Sequence, residues 1–336
     1  MKRKGSIVAL VLIGIAALAV GVILYGNSRG LVTNLALSPD SDYYDPANRV
    51  SDTEAAADRT ISYGPDDLQN YDLYFPENPN GKIIVHTHGG GWDGGDKRDR
   101  HHVSKGKIYS GKETGRDELV LDEHYAVAVI NYRYSGEKNP EVSVRDQAQD
   151  VAKAVDSVID MAGEQFRTDE VILMGSSAGG HLVALVASDE SFLSMQDLSF
   201  DNLQGVVLLD PPALDLAMVA EKYEPTFNYA MDDIFGLPPT DTRSTDYDEW
   251  IMQSPVNFVS SLSSNSPEVL AVYSNFEPPI KRPALSYLNK LDRDKVTKIT
   301  TWKGHMGTIN AAHEKGDIRD GSRRSAGVVG WMEALI

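Results

Sequence analysis

Short unbroken apolar runs alternate with stretches of helical periodicity along most of this chain, and that alternation restricts the fold more than any other property of the sequence. "KIIVHTH" (82–88), "HYAVAVINYRY" (124–134), "EVILMG" (170–175), "GVVLLD" (205–210), "EVLAVYS" (268–274) and "KVTKITTW" (295–302) are strand-length runs rich in β-branched residues. Between Glu141 and Met161 the apolar positions Val144, Ala148, Val151, Ala152, Val155, Val158 and Ile159 recur at helical spacing. Further helices are expected over Ala178–Ala187, Pro283–Leu291 and Ser325–Leu335. Strands that are apolar on both sides and separated by helices predict an α/β fold with a mostly parallel central sheet covered on both faces. "RTISYG" (59–64) and "NYDLYF" (70–75) read as two lead-in strands. Residues 211–262 break the alternation with proline pairs, acidic residues and aromatics, and so form a candidate lid.

The chain has 336 residues. A domain of about 300 residues buries roughly three quarters of its unfolded surface, so residues 59–336 suffice for one large domain. A net charge of −17 argues against a nucleic-acid partner, which would need clustered Lys and Arg. With no cysteine, disulfides, thiol nucleophiles and thiolate metal sites are all excluded. Lys2, Arg3 and Lys4 precede an apolar run from Ile7 to Tyr25, which as a helix would span about 28 Å, close to a bilayer core. Residues 1–28 are therefore expected to be an N-terminal transmembrane helix that leaves the large domain outside the cytoplasm. Secretion after signal cleavage near Ala17 and Ala19 is the alternative. Residues 29–58, rich in Asp, Ser, Asn and Ala, read as a linker.

Chemistry enters with "MGSSAGG", in which Gly175-Ser176-Ser177-Ala178-Gly179 fits G-x-S-x-G. The pattern is weak alone. Here it follows a strand-like run and opens a helical one, the arrangement that lifts a serine oxygen clear of a sheet. "HGGGW" (88–92), directly after another apolar run, supplies a glycine loop able to aim backbone amides at an oxyanion.

With these motifs the chain resembles the α/β-hydrolase esterases related to hormone-sensitive lipase, feruloyl and acetyl esterases and kynurenine formamidase. "HGGGWDGGDK", "NYRYS", "GSSAGGHLVALVA", "SPVNF" and "GHMGTI" carry the resemblance from about Ile61 onward. It implies Ser177 as nucleophile, Gly90, Gly91 and Ala178 as oxyanion-hole donors, and a base and an acid in the order Ser, acid, His. His305, in "WKGHMGTI" after the last strand-like run, is the expected base, ahead of His313. The acid is expected at Glu277, the place of the family's Asp after "EVLAVYS"; Asp210 is second, and Asp292 or Asp294 follow.

His86, His88, His101, His102, Asp93 and Asp96 do not complete a metallohydrolase pattern, and "GKIYSGKE" (106–113) lacks the Ser or Thr of a phosphate loop. No metal or organic cofactor is expected. The polar insert Arg98–Glu118 is expected to be a solvated loop near the entrance. The implied reaction is hydrolysis of a small or medium carboxylic ester through an acyl-enzyme. An amide, formamide or peptide could use the same machinery, and a hydrolase fold can also serve as a non-catalytic binding module.

Overall fold

The computed structural model describes residues 57–335 except 77, 100–102, 105–106, 109–124, 167, 224–230, 260–264, 276, 303, 306–307, 309–317, 321–322 and 326–327. The apolar run Ile7–Tyr25 and the lead-in to residue 56 therefore lie outside the described residues, and so does His313. No helix among the described residues is long and apolar enough to cross a membrane.

Eight strands form one sheet: β1 (Arg59–Ser62), β2 (Asn70–Tyr74), β3 (Ile83–Thr87), β4 (Ala126–Ile130), β5 (Val171–Ser176), β6 (Leu203–Leu209), β7 (Val269–Ser274) and β8 (Val296–Thr301). Their order is β1-β2-β4-β3-β5-β6-β7-β8. The pairs β1/β2 and β2/β4 are antiparallel and every later pair is parallel. The parallel strands thus end on one edge of the sheet, the edge where α/β proteins place their ligands.

Period-two alternation sorts each strand between two cores. Ile83, Val85, Ala128, Leu173, Val206 and Leu208 face a cluster built with α1 (Val144–Val158), α2 (Ala178–Val186) and α5 (Pro278–Leu288). Ile84, Val127, Ile172, Met174, Val207 and Leu270 face the other way, toward Val328, Met332 and Leu335 of the C-terminal helix α6 (Val328–Glu333) and its end. Both faces are covered, as the doubly apolar runs require.

Helix α1 starts at a reciprocal cap in which Ser143 accepts from the Asp146 amide and Asp146 from the Ser143 amide. Helix α5 begins five residues before the expected Pro283, because Pro278 and Pro279 occupy its first turn, where a missing N–H costs nothing. Between β6 and β7 the expected break in the alternation holds, among the described residues, two short helices, α3 (Leu216–Lys222) and α4 (Thr245–Ile251), and a single turn at Asp232–Phe235.

Candidate active site

Ser177 stands between β5 and α2 with φ 51 and ψ −124, a left-handed conformation that a serine adopts only when its surroundings force it. Two contacts hold it there: the Ser177 amide donates to the Leu209 carbonyl at 2.9 Å, and its carbonyl accepts from the His181 amide at 3.1 Å. Gly179 lies so close to the carbonyls of Thr87 and His88 that a Cβ would overlap both. The motif glycine therefore does more than permit a turn, since it seats the start of α2 against the end of β3, where the glycine loop begins.

His305 Nε2 lies 2.8 Å from Ser177 Oγ, and its Nδ1 lies 2.7 Å from Asp210 Oδ2. The sequence pattern placed the acid at Glu277, and here the structure corrects it. Glu277 Oε1 accepts from the main-chain N–H of His305 at 2.7 Å, not from the ring. Asp210 follows β6 directly with φ 48, and its second oxygen accepts from the Ser274 amide at 2.6 Å. That bond leaves Oδ2 aimed at the imidazole. Glu277 is the residue preceding α5, with its own carbonyl accepting from the Ile280 and Lys281 amides, and this fixes its backbone where the carboxylate meets the His305 amide. Asp292 caps a short turn by accepting from the Asp294 amide, so neither residue is part of the cluster.

Ser177, Asp210, His305 and Glu277 are all buried. Burial disfavours the charged imidazole, but the Asp210 hydrogen bond and the charges of Asp210 and Glu277 outweigh it, so the His305 pKa is raised above 6.5. Burial is also the largest influence on Glu277 and raises its pKa, against the lowering effect of His305.

The glycine loop, with Gly90 at φ +126 and Gly91 at φ +62, is clamped by the strand exit "NYRYS". Asn131 Oδ1 accepts from the Lys97 amide, Tyr132 OH donates to the His88 carbonyl, Tyr134 OH donates to the Gly95 carbonyl, and the Ser135 amide donates to the Trp92 carbonyl. Arg133 makes a two-pronged ion pair with buried Asp150 of α1, 2.8 Å on each prong. At Gly90 a Cβ would collide with the Gly94 backbone, so this tight loop admits only glycine there.

Arg98 departs from the expected solvated loop. With Lys97 it closes on Asp72 of β2, at 2.5 Å from Arg98 Nε and 2.8 Å from Lys97 Nζ, and the Asp72 carboxylate is fully buried. Desolvation acts to raise the Asp72 pKa, but hydrogen bonds from Arg98, Lys97 and Thr60 win and hold it low. Most of the rest of the insert is outside the described residues. His86 and His88 are buried strand-end residues; the His88 ring stacks on Tyr132 and its Nδ1 donates to the Gly89 carbonyl.

Sequence reasoning gave no role to His181, one turn into α2. Trp92 Nε1–H donates to His181 Nδ1 at 3.2 Å, so that nitrogen is unprotonated, and Nε2–H donates to the Gln253 carbonyl at 2.9 Å. Trp92 and Phe235 pack edge-on against the ring, and burial pushes its pKa down to about 3. The only signal in the sequence was a histidine inside an otherwise apolar helix.

Solved structures with the same fold include an arylesterase, 20% identical with a TM-score of 0.52 over 85% of this chain and 87% of that one. A thermostable esterase from Pseudomonas putida ECU1011 is 18% identical, with a TM-score of 0.54 and 86% of each chain covered. Esterase B from Lactobacillus rhamnosis, solved as inhibited with a tributyrin phosphonate, is 20% identical, with a TM-score of 0.50 over 85% of this chain and 83% of that one. At these identities the likeness establishes the fold. No curated protein matches the chain. The BD-FAE family model matches residues 71–278, more than half of the sequence, and the chain accordingly belongs to the BD-FAE family of α/β-hydrolase-like esterases.

Proposed function

We propose that the protein hydrolyses small or medium carboxylic esters through an acyl-enzyme on Ser177. The observation that carries this reading is the continuous contact from Ser177 Oγ through both His305 nitrogens to Asp210 Oδ2, at 2.8 and 2.7 Å. In the first half-reaction Ser177 Oγ bonds to the ester carbonyl carbon while its proton passes to His305 Nε2. Asp210 accepts from Nδ1–H, which fixes the tautomer and stabilises the imidazolium. The amides of Gly90, Gly91 and Ala178 are the proposed donors to the oxyanion. His305 then gives its proton to the leaving alcohol, and a water deprotonated by the same nitrogen releases the acid.

His305 must be neutral to act as base. The rate kcat/KM therefore rises with pH through the raised pKa of His305 and levels off above it. The decisive test is p-nitrophenyl acetate turnover together with labelling by a fluorophosphonate. Wild type should do both and Ser177→Ala neither, and full activity in the alanine variant would refute the assignment. A matched amide substrate hydrolysed faster than its ester would move the reaction to the amide class.

For the N-terminal segment we propose a membrane anchor over Ile7–Tyr25, supported by its length, apolarity and basic flank. Carbonate-resistant sedimentation of the full chain is expected. A mature protein beginning after Ala19 would replace the anchor with a cleaved signal.

A further inference from the structure

His305 touches carboxylates that arrive from different loops: Asp210 after β6 at the ring, and Glu277 after β7 at the main chain. We propose that Glu277 is a second, positioning carboxylate of the site, which holds the His305 backbone so that the ring bridges Ser177 and Asp210 and sets a buried negative charge beside it. This rests on the serine-hydrolase reading above and assigns Glu277 a task separate from that of the triad acid.

The geometry supports both parts. In the loop after β8 the Glu277 carboxylate holds the His305 amide, alongside the Thr308 amide donating to the Gly304 carbonyl at 2.8 Å and the contact between the Thr301 and Thr308 hydroxyls at 2.5 Å. A Cβ on Gly304 would lie 3.4 Å from Glu277 Oε1, an ordinary contact, so the carboxylate and this loop are packed together. Glu277 is only 5% exposed, which limits solvent screening of its charge. Among the described residues, the ionisable groups around this point are Asp210, Glu277 and His305 themselves; Lys281, one turn along α5, directs its ammonium at Asn275. The anionic Glu277 favours protonated His305, in the same direction as Asp210.

The test is the pH dependence of fluorophosphonate labelling of the full chain, in which Ser177 Oγ bonds to phosphorus, fluoride leaves and the serine proton goes to His305 Nε2. Labelling needs no ester substrate, so a failed ester assay leaves it interpretable. In Glu277→Gln the amide oxygen still accepts from the His305 N–H but the charge is gone. The acid limb should move to lower pH by about 0.5–1 unit, with the plateau rate within about tenfold of wild type. Glu277→Asp keeps the charge but shortens the reach, so its limb should stay while its plateau falls. Asp210→Asn should lower the plateau by about ten-thousandfold, the scale for loss of a triad acid elsewhere. An unshifted limb in folded Glu277→Gln, or a plateau loss as deep as that of Asp210→Asn, would overturn the proposal. A wild-type chain that is not labelled at all would overturn the serine-hydrolase reading itself.

Discussion

Replacing His181 with phenylalanine keeps a planar ring between Trp92 and Phe235 while deleting both nitrogens. Trp92 Nε1–H then loses its partner in a fully buried setting and the Gln253 carbonyl loses its partner in a partly buried one. An orphaned buried polar group costs about 1–3 kcal/mol and a partly solvated one less, so His181→Phe should be destabilised by about 1–4 kcal/mol at pH 7.5. The pH dependence is the sharper test. Folded His181 has a pKa of about 3 against 6.5 unperturbed, so within that window the unfolded chain binds the extra proton. Its contribution is therefore fully present above 6.5 and is lost as pH falls, by about 1.4 kcal/mol per pH unit. At pH 5 the wild type has given up about 2 kcal/mol from this residue, whereas phenylalanine has nothing to titrate. Urea unfolding of both proteins at pH 7.5, 6 and 5 should show the stability gap shrinking by about that amount. A gap that is constant from pH 7.5 to 5 would refute the assigned neutral tautomer, and a variant as stable as wild type would refute the hydrogen-bonded chain.

Two further substitutions probe how the site is built. Gly179→Ala should lose both stability and activity, by at least about 2 kcal/mol in urea unfolding, because its methyl group would overlap the Thr87 and His88 carbonyls; wild-type stability would show that α2 can shift at no cost. Asp72→Ala leaves Lys97 and Arg98 without their buried carboxylate, and should cost about 3–5 kcal/mol with Asp72→Asn milder. A loss below about 1 kcal/mol would mean that the pair is effectively solvated.

Ser177 and His305 were legible in the sequence because each belongs to a local pattern, a strand-turn-helix around the serine and a short motif after the last strand. The acid was not. Asp210 and Glu277 each follow an apolar strand run, and both finish against His305. Which one meets the ring is decided by the left-handed backbone at Asp210 and by the Pro278-Pro279 helix start that fixes Glu277, and neither is visible from spacing. Helix α1 shows a similar limit. Its apolar stripe predicted the buried Val and Ala positions, but Gln147 and Asp150 are just as buried. Gln147 donates to the Trp92 and Arg133 carbonyls, and Asp150 receives Arg133 and Gln69. A periodicity argument assigns polar residues to water, and here the partners come from a loop and from strand ends distant in sequence.

The strand directions set how the catalytic edge is presented. Strand β1 is antiparallel to β2 and β2 to β4, so β1 runs in the same sense as the parallel strands, and the chain enters it from the side opposite the edge that carries Ser177. β1 is also the outermost strand, four positions from β5 in the sheet order, a lateral offset of about 19 Å at the usual strand spacing. The described chain therefore enters the sheet at a corner remote from Ser177.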